Sequence, residues 1–397
     1  MLNLLVLVVS GILAGCVTGI IPGIHINLIS TILLSIYPSI SHTVQGFEAA
    51  SFIISMSITH TFIDSIPGIY LGAPSESHAL TALPGHKMLL NGQGHNALKL
   101  TLIGSFFTLL LCIFFFGVFM KSMTILQSIT QGKIGYILIL LVLFVILSQK
   151  GKILKSIVIF LLSSTIGLAV LNNHGLNQPI FHMLSGFFGI SLLIDSLSSN
   201  TEIPTQIFST LKLRSKTIKK SVVTATIAGF FAAFTPGFGT SQTAIIAQKF
   251  VKGTTKSFLI LVGGLNTANM VVSLCSFYIL DRARNGSIIA IREITSSITL
   301  SELIIFLMIA IIAGSIASIL ALKISKIFAK LIPKISYAKI AISIIILITI
   351  MSLYFDSFIG LIILITSTSL GLLATKLSIG KNNLMGCLIF PTILFLI

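Results

Sequence analysis

The stretch Pro22-Gly23-Ile24-His25-Ile26-Asn27 interrupts an apolar run that extends from Gly11 to Ser41. Proline and glycine in the middle of a membrane-length apolar segment break the helix, and the freed N–H and C=O groups need new partners. At membrane depth such a break survives only where protein or a watery cavity surrounds it. The design returns between Gly229 and Ala247, broken by Pro236-Gly237-Phe238-Gly239-Thr240-Ser241-Gln242. Gly15 and Gly229, Pro22 and Pro236, and Gly23 and Gly237 all share one offset of 214 residues. Two broken helices at matching places in two halves are the sequence sign of a secondary transporter's binding site.

Composition agrees. With 55% apolar residues, 9% charged and a mean hydropathy of +1.09, the chain cannot cover a soluble globule of 397 residues with polar surface. The expectation is an all-α integral membrane protein, multi-pass in the cell membrane, because lone helices satisfy their own backbone in lipid. Met1 to Ile21 lacks a basic leader and reads as a retained helix, not a signal peptide. The excess of 25 Lys and Arg over 9 Asp and Glu gives +16. These charges cluster between apolar runs, so they read as topology signals facing anionic lipid; nucleic acid is not expected as a partner. Cys16, Cys112, Cys275 and Cys387 sit inside apolar runs without metal-ligand spacing, and no cofactor is expected.

The chain reads as a single membrane domain over 1–397, with repeat one at 1–205, a basic linker at 206–220 and repeat two at 221–397. After each re-entrant Pro-Gly hairpin come about five transmembrane helices. In repeat one these are Phe47–Ile69, Leu100–Met120, Ile134–Leu147, Ile157–Leu171 and Ile180–Leu197. In repeat two they are Phe258–Leu280, Leu303–Leu322, Ile340–Tyr354, Phe358–Thr375 and Leu384–Ile397. An odd number of crossings inverts the second copy. With the linker inside, most basic loops fall inside and the amino terminus outside. Lys121, Lys133, Arg282, Arg284 and Arg292 dissent from this count.

Three constellations carry candidate chemistry. Half-helix ends at the breaks offer N–H donors and a positive dipole to an anion. Pro22, Gly23, His25 and Asn27 in one break, with Pro236, Gly237, Gly239, Thr240 and Ser241 in the other, are the substrate-binding candidates; the alternative is a packed kink. His60 and Asp64 stand at i and i+4 on one helix face, either as a proton relay or cation site or as a structural pair. Asn266 and Asn269 occupy the equivalent region of repeat two. Ser75 and Ser77 suit a carboxylate or phosphate and Glu76 suits a coupling cation, unless Gly72–His78 is simply an exposed loop. No hydrolase or metalloenzyme spacing is present, so an enzyme is not expected.

At these residues the chain resembles the TctA family, the large permease subunit of tripartite tricarboxylate transporters. The resemblance rests on Gly15 to Pro22-Gly23, Pro74-Ser75-Glu76 to Thr81-Ala82-Leu83-x-Gly85, and Lys99 to Gly104-Ser105-Phe106. Pro236-Gly237-Phe238-Gly239 and Asn266-Thr267-Ala268-Asn269 continue it in order. The Pro-Gly breaks resemble more weakly the polyprenyl-phosphate translocases.

The expected function is secondary-active transport of a small carboxylate-like anion by alternating access, coupled to Na+ or H+. The alternatives are translocation of a polyprenyl-phosphate lipid and a non-transporting membrane scaffold. The partners this admits are the bilayer, a small anionic solute, a small membrane subunit or solute-binding protein, and a second copy in a homo-oligomer.

Overall fold

The computed structural model describes residues 2–21, 26–72, 82–130, 132–147, 151–173, 175–197, 203–211, 213–234, 240–251, 253–283, 285–334 and 336–397. Among these residues the secondary structure is helical, with no strand. In order, the helices are α1 (Leu2–Ile20), α2 (Ile26–Ile40), α3 (Gly46–Ile63), α4 (Ser65–Tyr70), α5 (Ala82–Leu90), α6 (Gly94–Phe114), α7 (Phe116–Thr130), α8 (Ile134–Leu147), α9 (Ile153–Leu171), α10 (Pro179–Leu184) and α11 (Ser191–Leu197). A π-helical turn, Ser185–Ile190, joins α10 to α11. Then come α12 (Ser215–Phe234), α13 (Thr240–Ala247), α14 (Thr255–Leu280), α15 (Gly286–Thr295), α16 (Leu300–Leu331), α17 (Tyr337–Lys376) and α18 (Gly386–Leu396). Among the described helices, seven stretches are long and apolar enough to cross a membrane. The remaining apolar segments anticipated from sequence are shorter, including α8 and α18.

Polar residues fix where several helices start. Glu48 takes the Gln45 N–H ahead of α3, and Thr299 and Glu302 exchange hydrogen bonds at the start of α16, which satisfies N–H groups left over at a helix end. Glu48, inside an apolar crossing by sequence, is thus a capping residue at its mouth. In α17 the helix breaks at Asp356 and Ser357, where Ser357 takes φ 50°. A Cβ on Gly360 would lie 2.7 Å from the Ser352 carbonyl oxygen. Eight residues of straight helix span about 12 Å, so α17 doubles back as two antiparallel arms, 337–355 and 358–376. The sequence reading had separated these as two segments.

Small residues set the helix pairings, because in lipid close van der Waals packing replaces the hydrophobic drive. Gly11 lies on Phe52 and Ser55, Gly15 on Met56 and Thr59, and Gly19 on Ile63, so α1 runs parallel to α3. Ala225 packs on Gly264 and Gly229 on Ala268, which makes α12 parallel to α14 in the same way. Each broken helix is therefore followed by a return: α2 leads back to the side from which α1 entered, and α13 does so after α12. The two returns differ, since α2 packs on α15 and α13 on its own α12.

Helix directions follow from the same kind of contact. Phe47 stacks on Phe306 at 5.1 Å, Phe62 lies at Gly314 and Tyr70 bonds Ser325, so α3 and α16 are parallel. Leu109 lies at Gly314 and His95 bonds Ser325, so α6 opposes α16. Thr101 sits on Gly263, and Cys112 is within electrostatic reach of Cys275, so α6 is parallel to α14. It follows that α3 and α14 run in opposite directions. In the later helices, Gly167 meets Cys387 and Ser163 bonds Asn383, pairing α9 with α18. Gly186 meets Leu364 and Ser367, pairing the π-turn rod with the second arm of α17.

The core divides accordingly. A large apolar cluster joins α1, α3 to α7, α11, α12, α14 to α16 and the first arm of α17, while a second gathers α9, α10, the π-helical turn, Ile245 of α13, most of the second arm and α18. Each cluster draws helices from both halves of the chain.

Candidate functional site

The crossing of α3 and α14 holds a buried polar centre. Asn266 Nδ2 donates to Asp64 Oδ2 at 2.8 Å, linking the two halves of the chain. His60 Nε2 stands 3.9 Å from the same carboxylate oxygen, and its Nδ1 lies 3.0 Å from Thr18 Oγ1 near the end of α1. Thr61 and Thr267 share a hydrogen bond of 3.2 Å between α3 and α14. These side chains are all under 10% exposed. An Asp at the middle of a membrane helix costs roughly 2.5–3.5 kcal/mol on insertion scales, so its neighbours are part of what allows it there. The i, i+4 spacing brings His60 and Asp64 to one face, as helix geometry requires.

The position of Thr18 matters because α1 ends two residues later, immediately before the Pro22-Gly23 break. Its hydroxyl connects that end of α1 to His60, and Gly19 brings the same turn against Ile63 and the Asp64 backbone. The end of α1 is thereby held beside the carboxylate. On the other side, Gly229 seats α12 on Ala268, one turn beyond Leu265 on α14. Thr240, which opens α13 just past the second break, is buried.

Several sequence candidates lie outside the described residues: Pro22, Gly23, His25, Ser75, Glu76, Ser77, Pro236, Gly237 and Gly239. Asn27 and Ser241 belong to α2 and α13. Asn269 is partly buried on α14. Of the arginines that dissent from the charge count, Arg292 makes an exposed bidentate pair with Asp281 at 2.8 and 2.9 Å. That pairing lowers the Asp281 pKa and raises that of Arg292. Arg282 is partly buried, and Arg284 is outside the described residues. His86, in the polar stretch after α4, is buried with Nδ1–H donating to the Ile69 carbonyl at 3.0 Å, and burial pushes its pKa down.

Sequence reading passed over a second polar centre. At the α17 turn, Asp356 accepts from His182 Nε2 at 2.6 Å, from the Gln178 N–H at 2.9 Å and from the backbone and side chain of Asn177. Ser352 Oγ lies 2.8 Å from His182 Nδ1. Lys381, between α17 and α18, is buried with Nζ donating to Ser191 Oγ at 2.8 Å. Burial moves its pKa down to about 8, with Asp195 pulling the other way. The available signal was an ionisable residue within or beside each apolar segment.

Comparison with known proteins bears on this arrangement. The model of the tripartite tricarboxylate transporter TctA family matches residues 5–386. The chain belongs to the TctA family. This makes it a multi-pass cell-membrane protein of a transporter family and gives a transporter component as the functional class. An uncharacterized protein of Methanocaldococcus jannaschii is 33% identical over 406 residues, covering 100% of this chain and 99% of its own. No solved structure matches.

Proposed function

We propose that this TctA-family chain is the permease of a secondary transport system for small carboxylate anions, working by alternating access and coupled to Na+ or H+. The observation that carries the proposal is the Asp64–Asn266 link where α3 crosses α14, with the end of α1 held alongside through Thr18 and His60. Half-helix ends at such breaks present N–H groups and a positive dipole to an anion. Asp64 would repel that anion unless a proton or metal cation neutralises it, which makes Asp64, with His60 and Glu76, the coupling candidate. Serines and amides around Ser75, Ser77, Thr240 and Ser241 complete the substrate side, with Asn266 and Asn269 lining it.

The reading includes two inverted repeats. It is supported by the opposed directions of α3 and α14, by the matched pairings α1 with α3 and α12 with α14, and by the exchange in which α6 packs on α14 and α16 on α3. Broken helices entering from opposite faces would meet at one midplane site. The two apolar cores supply the bodies whose relative movement would expose that site to each side in turn. The family's tripartite description points to a solute-binding protein and a small membrane subunit as partners.

Thermal unfolding of the purified protein against di- and tricarboxylates, with and without Na+, tests the substrate class, because a ligand of the folded state stabilises it by mass action. Stabilisation by a carboxylate that grows with Na+ or with acid is the expected result. Stabilisation by a polyprenyl phosphate alone would replace the carboxylate reading with lipid translocation.

A further inference from the structure

The first two turns of α12 carry Lys216, Lys219 and Lys220 on one face, all exposed, above Val223 and Thr224. With Ser215 these residues line an open groove of about 580 Å³. Three cations at the positive end of a helix are locally unfavourable. The helix has no acidic residue to offset them, and none of the three lysines makes an ion pair among the described residues. The charge is therefore open to an external anion.

The surface below the lysines says which kind. Val223, Ile227 and Phe231 follow at one-turn spacing along the same face, and they are 46%, 53% and 44% exposed. A cationic cap over a continuous exposed apolar stripe matches a molecule with an anionic head and a hydrocarbon tail. Free phosphate would use the lysines and leave the stripe without a role. A second copy of this chain, at +16, would be repelled from a lysine cluster. We infer that the groove at the start of α12 is a binding site for an anionic phospholipid, with its headgroup on Lys216, Lys219 and Lys220 and an acyl chain along Val223, Ile227 and Phe231. The site lies on the helix that carries the second Pro-Gly break, so a bound lipid would contact the outer face of that broken element. This inference needs only the membrane setting and stands apart from the identity of the solute.

The test is native mass spectrometry of the full chain in detergent, titrated with dioleoyl-phosphatidylglycerol, dioleoyl-phosphatidylcholine or inorganic phosphate. Phosphatidylglycerol is expected to bind in preference to phosphatidylcholine. The K216Q/K219Q/K220Q variant is expected to lose roughly 100-fold in phosphatidylglycerol affinity, at about fivefold per lysine. The K121Q/K133Q variant, altered at two basic positions outside α12, is expected to bind as the wild type does. If folding of the triple variant is in question, single K219E provides the second reading, with a loss of at least tenfold expected. Full phosphatidylglycerol affinity in both α12 variants, or equal binding of phosphatidylcholine, overturns the proposal. Competition by inorganic phosphate at equal concentration also overturns it, in favour of a soluble-anion site.

Discussion

Replacing Asp356 with alanine removes the acceptor for His182, the Gln178 N–H and both Asn177 donors at once. The Asp356 and His182 side chains are 1% and 0% exposed, so water cannot substitute without opening the turn. Leaving a buried donor without its acceptor costs about 1–3 kcal/mol, and His182 and the Gln178 N–H lose theirs together, so a loss of about 3–5 kcal/mol is expected. If this falls on the second core, the population of locally opened protein rises roughly 150- to 4,000-fold. Native cysteines make the effect readable, since Cys387 is buried in the second core while Cys112 belongs to the first and Cys275 is buried in α14. Maleimide labelling of single-cysteine versions should therefore accelerate by about 100-fold or more at Cys387, with Cys112 and Cys275 unchanged. An acceleration below about tenfold at Cys387, or equal acceleration at all three, refutes the reasoning, because the pair would then carry little energy or the cores would not open separately.

Burial lowers the Lys381 pKa from 10.5 to about 8, so the unfolded chain holds more protons across that window and stability rises with pH between those values. The relative gain over Lys381→Met should be on the order of 2–3 kcal/mol, read as diverging unfolding curves from pH 7.5 to 10. Gly104→Val places a side chain into the α14 backbone at Ile260 and Gly264, and should lower thermal stability strongly or prevent accumulation in the membrane, as fluorescence-detected size exclusion would report. Single cysteines at Ser41 and Thr217 should be labelled from opposite sides of the membrane by an impermeant maleimide; labelling from the same side would end the inverted-repeat reading.

The helical membrane class and the order of segments were legible because apolar runs and Pro-Gly punctuation are local signals. Even the hairpin within α17 was readable from the polar interval between two apolar runs. The His60–Asp64 pair was legible through i, i+4 spacing, and Asn266 through its place in the second half. Thr18 was not, since a threonine in an apolar run ordinarily bonds its own helix, and only tertiary packing of α1 on α3 brings it to His60. His182, Asp356 and Ser352 come from segments 170 or more residues apart, and no local pattern unites them. The burial of Lys381 was not legible, because a lysine beside a membrane segment has the same sequence appearance whether it snorkels to water or turns inward to Ser191.

The central claim, cation-coupled carboxylate transport through Asp64, is tested most directly in proteoliposomes. Uptake of a radiolabelled carboxylate is measured with and without an imposed Na+ or proton gradient, for wild type and Asp64→Asn. The account predicts accumulation by the wild type only under the gradient. It also predicts loss of that gradient dependence in the variant, with ligand-induced thermal stabilisation retained as proof of folding. Gradient-driven carboxylate accumulation by Asp64→Asn equal to that of the wild type would contradict it.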